Sequence, residues 1–417
     1  MEKKIVGKLI GFYRKKVYKY TQKQVVFNQL SLEEYCDVKT LAKIEKGYIS
    51  SNDDFYIDIC SNLNMEFELS RRVLSLVEKL CEEQIALFDD YSIVKSRQLH
   101  QQILLLKEKY ENYVYIYEVL LILEAMNQLF SEFKPIDSII LEIGDLICED
   151  LEGVFQNICL SALMFHYMMM ERRMDKYLLY RQIYLENGYL KTIGFEVNET
   201  LFEQNILCAY RRLNALESKC TTPLQKYVLL VNRSIVQNRM RLIDEAICNL
   251  EEILSLYKIY FEYLPSYVYE RTMKRLAMMY YYKGRYDGCL AILKRLLDES
   301  YQLNCSYLLL FNVLEITQQK ELLLKIIEEQ NNMNKLSSKS RMIIRYYEIK
   351  YFEEEKSIQA CKKLETHIVD CIAPLIYREP LMIELCHSEL MQCVGITSDY
   401  KSLYVYEQKI KKLQEEA

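Results

Sequence analysis

Turn-forming residues are scarce: the 417 residues include 10 Gly and 5 Pro, against usual shares of roughly 7% and 5%. Hairpins and sheets need such residues at their turns. A β-rich fold is therefore excluded, and long helices with short connections are expected. Trp is absent, and the four His (His100, His166, His367 and His387) stand far apart. No CxxC pair occurs among the 14 Cys, and no His joins a Cys at zinc-ligand spacing. The cysteines lie scattered in apolar stretches, where a free thiol acts as a small buried hydrophobe. That favours a reducing, cytoplasmic compartment over a disulfide framework. The basic N-terminus has no apolar h-region of a secretory signal. No apolar run reaches the roughly 18 residues that span a bilayer; 113–130 comes nearest but carries Glu118, Glu124 and Asn127. No membrane partner is expected. P-loop, GxGxxG, HExxH and GxSxG motifs are missing too. Catalysis, cofactor and metal are therefore not expected, and His100 and His166 read as lone residues.

What is present is a chain 51% hydrophobic, enough for sizeable cores. Its net charge of −5 hides an asymmetry. Residues 1–50 carry 11 basic and 5 acidic side chains, and the remainder 43 and 54. Eight basic residues and no acidic one fall between Lys3 and Gln24. A basic end on an acidic body suggests that this end meets a polyanion.

The first seventy residues divide into four short helices. Residues 6–17 form an amphipathic stretch, with Leu9, Ile10 and Tyr13 on one side and Lys8, Lys15 and Lys16 on the other. Thr21 can cap a helix over 22–29, Asp37 one over 38–46 that Gly47 ends, and Asn52 one over 53–63. A linker is expected near 64–67, which separates a domain 1–67 from a domain 68–417.

Ile10–Arg14, Tyr20-Thr21-Gln22 and the run from Thr40 to Gly47 resemble the helix-turn-helix of the phage-repressor and Xre family, with its R…TQ…IE.G skeleton. Arg14 stands seven residues before Thr21, as in the family, and the likeness covers about the first 65 residues. The interval from Thr21 to Ile44 is about five residues longer than usual, the excess falling around Leu30–Tyr35. The resemblance implies a structural ion pair between Arg14 and Glu45. It implies Gln22 against the phosphate backbone of double-stranded DNA. A helix-turn-helix lays its second helix in the major groove. Lys39, Thr40 and Lys43 leave the apolar stripe of that helix, and these residue types bond base edges or phosphates. The basic side chains of helix one would add sequence-independent phosphate attraction.

Beyond Glu68 the helical pattern continues and repeats itself irregularly. The stretch from Leu276 to Leu297 resembles a tetratricopeptide repeat, with small Ala277, Gly284 at the turn and small Cys289. Ser234 and Ala246 mark a second, 43 residues upstream. The fold expected is all-α: a four- to five-helix head followed by a right-handed α-solenoid of tetratricopeptide-like pairs. In that family the first helix of each pair lines a concave groove. Carried over, the register gives Val228, Val231, Asn232, Ile235, Asn238 and Arg239 in one repeat, and Arg271, Lys274, Arg275, Met278, Tyr281 and Tyr282 in the other. Asn can clamp a peptide backbone, and the three basic residues suit a carboxylate.

This combination resembles the peptide-sensing Rgg and PlcR group of Gram-positive regulators. That implies a homodimer whose body binds a short signalling peptide and thereby shifts the DNA-binding state. The alternative is a tetratricopeptide interaction scaffold, similar to response-regulator inhibitors, without DNA binding.

Overall fold

The structure, a computed structural model, describes residues 2–27, 36–67, 70–90, 92–171, 173–189, 196–197, 199–202, 205–260, 266–299, 303–331, 336–352, 357–377 and 379–415. Helix dominates; one isolated β-bridge, between Glu66 and Tyr113, is the extended pairing among these residues. The chain is therefore all-α. No helix among the described residues is long and apolar enough to cross a membrane.

The chain divides into two compact units. The first comprises Met1–Glu199, Leu216–Lys226 and Tyr260–Pro265; the second comprises Thr200–Ala215, Tyr227–Ile259 and Ser266–Ala417.

In the first unit, α1 (Glu2–Phe12) runs into a π-turn, Tyr13–Val17. It starts four residues before the expected residue 6, and buried Ile5 extends its apolar stripe. α2 is short, Gln22–Val26. Thr21 and Gln24 cap it reciprocally: the Thr21 N–H donates to the Gln24 side chain at 2.7 Å. It stops before the expected residue 29, because β-branched Val25 and Val26 favour helix poorly. The Asn62 amide also takes the carbonyls of Val25 (2.8 Å) and Phe27 (3.2 Å). The extra residues around 30–35 lie outside the described residues. α3 (Val38–Ile44) is capped by Asp37, and Gly47 follows at φ +85°. α4 spans Asp54–Asn62.

The expected linker at 64–67 is instead pinned. The Glu66 N–H donates to the Asn112 carbonyl at 2.6 Å, and Val114 N–H donates to the Glu66 carbonyl at 3.1 Å. Backbone groups there found partners inside the unit rather than water. Beyond it come α5 (Arg71–Asp90), α6 (Ile93–Lys109), α7 (Ile116–Glu132), α8 (Ser138–Ile147), α9 (Gly153–His166) and α10 (Met174–Glu186). α7 and α9 form the apolar centre, with α5, α6, α8 and α10 against them.

The second unit contains α13 (Ile243–Tyr260) up to Ile259, then α14 (Ser266–Tyr282), α15 (Tyr286–Asp298), α16 (Ser306–Ile316), α17 (Lys320–Asn331), α18 (Ser338–Phe352), α19 (Ile358–His367), α20 (Ala373–Ile376), α21 (Pro380–Thr397) and α22 (Lys401–Glu415). Before them, α11 (Ile206–Glu217) and α12 (Pro223–Arg239) each cross a unit boundary. Consecutive helices from α14 to α19 pack on one another. Gly284, at φ +66°, makes the turn between α14 and α15. An added Cβ on Gly288 would stand 2.8 Å from the Tyr280 ring, so that hairpin closes tightly where the side chain is missing. Helix α16 also touches α21, a contact beyond those of a stack in which each repeat meets only its neighbours. Lys350 joins the three helices there, 2.8 Å from both Glu315 and Glu389. Burial lowers the Lys350 pKa, but the Glu389 and Glu315 charges outweigh it and raise the ammonium above its ordinary value.

Candidate nucleic-acid interface and helical body

Three of the N-terminal helices meet around one carboxylate. Glu45, just past α3, accepts from Arg14 Nη2 at 2.9 Å and from the Arg14 Nε, a two-point fork. The Gln22 amide donates to the same carboxylate at 2.9 Å, and Arg14 Nη1 donates to the Tyr20 carbonyl at 2.7 Å. Arg14 is 7% exposed. The node therefore ties the end of α1, the start of α2 and the end of α3 together. It does so across an open cleft of about 330 Å³ lined also by Lys15, Ala42 and Lys46. Gln22, assigned to DNA phosphate by resemblance, has its amide engaged within this node.

Two glycines on α1 permit the approach. A Cβ on Gly7 would lie 2.3 Å from the Ile44 carbonyl oxygen, and one on Gly11 would lie 3.1 Å from the Glu45 Cβ. Their four-residue spacing puts both on one helix face. That spacing is visible in the sequence and was not used there.

On α3, Leu41 and Ile44 are buried while Lys39 and Lys43 are exposed, with Thr40 between the two classes. The Thr40 hydroxyl donates to Asp37 at 2.9 Å, so its oxygen keeps acceptor capacity outward. The Thr40 backbone N–H, then its hydroxyl, hold the Asp37 carboxyl below its usual range.

The lysines of the head sort into two sets. Lys3 pairs with Asp53. Lys4 and Lys8 reach Asp150 at 2.7 and 2.5 Å, and Lys16 reaches Glu142 at 2.9 Å. Asp150 is 9% exposed. Burial pushes its carboxyl up, but hydrogen bonds and charge from Lys4 and Lys8 prevail and hold it below the ordinary value. Tyr13 donates to buried Glu118 at 2.5 Å. Burial raises both the Tyr13 and the Glu118 pKa.

Several basic side chains of the first helix and its flanks thus have acid partners within the unit. Acids on α8 and just after it, invisible to local sequence, claim three of them. Lys15, Lys19, Lys23, Lys39, Lys43 and Lys46 are exposed; of these, Lys15 alone has an acid within 4 Å among the described residues, Glu45 at 3.9 Å. All six lie from the π-turn to Lys46, just past α3.

In the body, His166 is buried and structural. Its Nδ1 accepts the Ile136 N–H at 3.1 Å, which leaves Nε2 to donate to Glu171 at 3.0 Å. Of the groove candidates, Asn232 is buried, 2% exposed. Val228 is also buried; Asn238, Val231 and Ile235 are half-buried. Arg239 donates to the Leu201 carbonyl at 3.0 Å. Tyr281 donates to Asn312 at 2.8 Å, and the Tyr282 ring lies 5.5 Å from the Arg241 guanidinium. Lys274 pairs with Glu270 on the same helix. Arg271 is exposed, and Arg275 and Met278 are half-buried.

Comparison with protein families, with characterised proteins and with solved structures returns no match.

Proposed function

We propose that the protein is a DNA-binding transcription regulator. Its N-terminal helix-turn-helix of the Xre kind reads duplex DNA through α3, and its helical body binds a ligand, a short peptide in this reading, that controls the DNA-binding state. The supporting observation is the sorting of charge. Lys4, Lys8 and Lys16 are paired with acids of the same unit, while six lysines from Lys15 to Lys46 stand exposed, only Lys15 of them within 4 Å of an acid among the described residues, beside a head braced by the Arg14–Glu45–Gln22 node. An ordinary solvated surface gives no reason for that division; a surface kept for phosphates does. Lys39, Thr40 and Lys43 would meet base edges or phosphates, and Lys15, Lys19, Lys23 and Lys46 the flanking backbone. A homodimer of the solenoid kind would read two half-sites about one helical turn apart, or a multiple of that.

The test is fluorescence anisotropy on a duplex from upstream of the gene and on a pooled random duplex library. Binding that falls steeply with salt and is lost in the Lys39→Ala/Lys43→Ala double variant supports the reading. No binding to either duplex, with the protein folded, moves the assignment to a protein-interaction scaffold.

A further inference from the structure

Helix α14 presents a run of positive charge on one face. Arg271 and Arg275 are one turn apart, with Lys274 between them, and Met278, Tyr281 and Tyr282 continue the same side. Like charges four apart on a helix repel. Lys274 is answered by Glu270. Arg275 is not: it has no hydrogen-bond or ion-pair partner among the described residues, although it is half-buried. Burial first, and then the Arg271 charge, push its guanidinium down to about 10. The pull of Glu379, at the start of α21, is the weakest influence on it. A half-buried cation without a paired counter-charge is costly.

We infer that Arg275, with Arg271 beside it, is the seat of an organic carboxylate ligand of the second unit. A guanidinium grips a carboxylate with two parallel N–H donors. The Tyr281 and Tyr282 rings and the Met278 thioether offer an apolar surface to the rest of such a molecule. A free C-terminus or an acidic side chain of a short peptide has this chemistry. The inference rests on the body being the ligand-sensing part and names the class of ligand it takes.

The experiment uses the full chain, with citrate as the carboxylate probe. Thermal unfolding and titration calorimetry are run in citrate, in inorganic phosphate and in sodium chloride at matched ionic strength. Citrate is expected to raise Tm by roughly a few degrees over chloride, as a ligand of the folded state must. In Arg275→Met that difference should vanish. Without added anion, Arg275→Met should unfold at the same temperature as the parent or higher, because a repelled, unpaired charge has been removed. Arg275→Lys keeps the charge but loses the fork; it should fold and lose most of the citrate response. A citrate effect no larger than that of chloride overturns the site. So does an anion-free Arg275→Met that melts well below the parent, the mark of a structural arginine. Phosphate matching citrate overturns the carboxylate assignment. Loss of DNA binding by the parent protein with its citrate response intact would sink the regulator reading alone.

Discussion

The salt dependence of DNA binding separates the two sets of lysines in the head. Each phosphate contact that releases a counterion contributes about −0.9 to the slope of log K against log salt. If Lys15, Lys19, Lys23, Lys39, Lys43 and Lys46 are the cations available, one bound head has a slope of about −5 at most. If Lys3, Lys4, Lys8 and Lys16 abandon Asp53, Asp150 and Glu142 for phosphate, the slope approaches about −9. Between 50 and 200 mM salt the first case loses about 10³-fold in affinity and the second more than about 10⁵-fold. Anisotropy titrations on a duplex with one half-site, across that range, give the slope directly. Lys39→Ala/Lys43→Ala should flatten it by about 2 if both meet phosphates. Lys4→Ala/Lys8→Ala should leave it unchanged. A slope near −9, or one that falls with the Lys4 and Lys8 changes, would refute the division of charge on which the interface rests.

Other consequences follow from packing and burial. Gly7→Ala places a methyl against the Ile44 carbonyl, 2.3 Å away before relaxation. It should cost about 1–3 kcal/mol, as overpacking does, and thermal unfolding should show it; an unchanged Tm would mean that α1 can shift off α3. Lys350→Met strands half-buried Glu315 and Glu389 and should destabilise by about 1–3 kcal/mol, less than breaking a fully buried pair costs; denaturant unfolding measures it, and an unchanged stability would count against the cluster. Because its folded pKa is depressed, Asp150 contributes stability above its unfolded pKa that is lost as pH falls through the folded value; unfolding followed from pH 6 to 3 should show that loss diminished in Asp150→Asn. Exposed Cys208 and Cys248 should react quickly with a thiol reagent in the native protein. Cys148 and Cys289, pushed up to about 12 mainly by burial, should react only on unfolding.

Much of the head was legible in sequence because its signals are local. Thr21 and Asp37 announce helix starts, since a side-chain oxygen that accepts a backbone N–H needs only three residues of context. The scarcity of Gly and Pro likewise foretold an all-helical chain. The end of α2 was not legible, because Asn62, from another helix, satisfies its carbonyls. The burial of Asn232 was not legible for a similar reason: a repeat pattern fixes which face turns inward, but not what other helices bring to cover it.

The sequence by itself determined the helical class, the caps and the concentration of positive charge in the first fifty residues. Each follows from propensities and charges that act over a few bonds. Tertiary structure decided which positive charges meet an acid. Lys4, Lys8 and Lys16 resemble Lys39 and Lys43 as sequence, and only Asp150 and Glu142, more than a hundred residues away, set them apart. Ion pairs form over a few ångströms of space, and distance along the chain does not reveal which charges will share it.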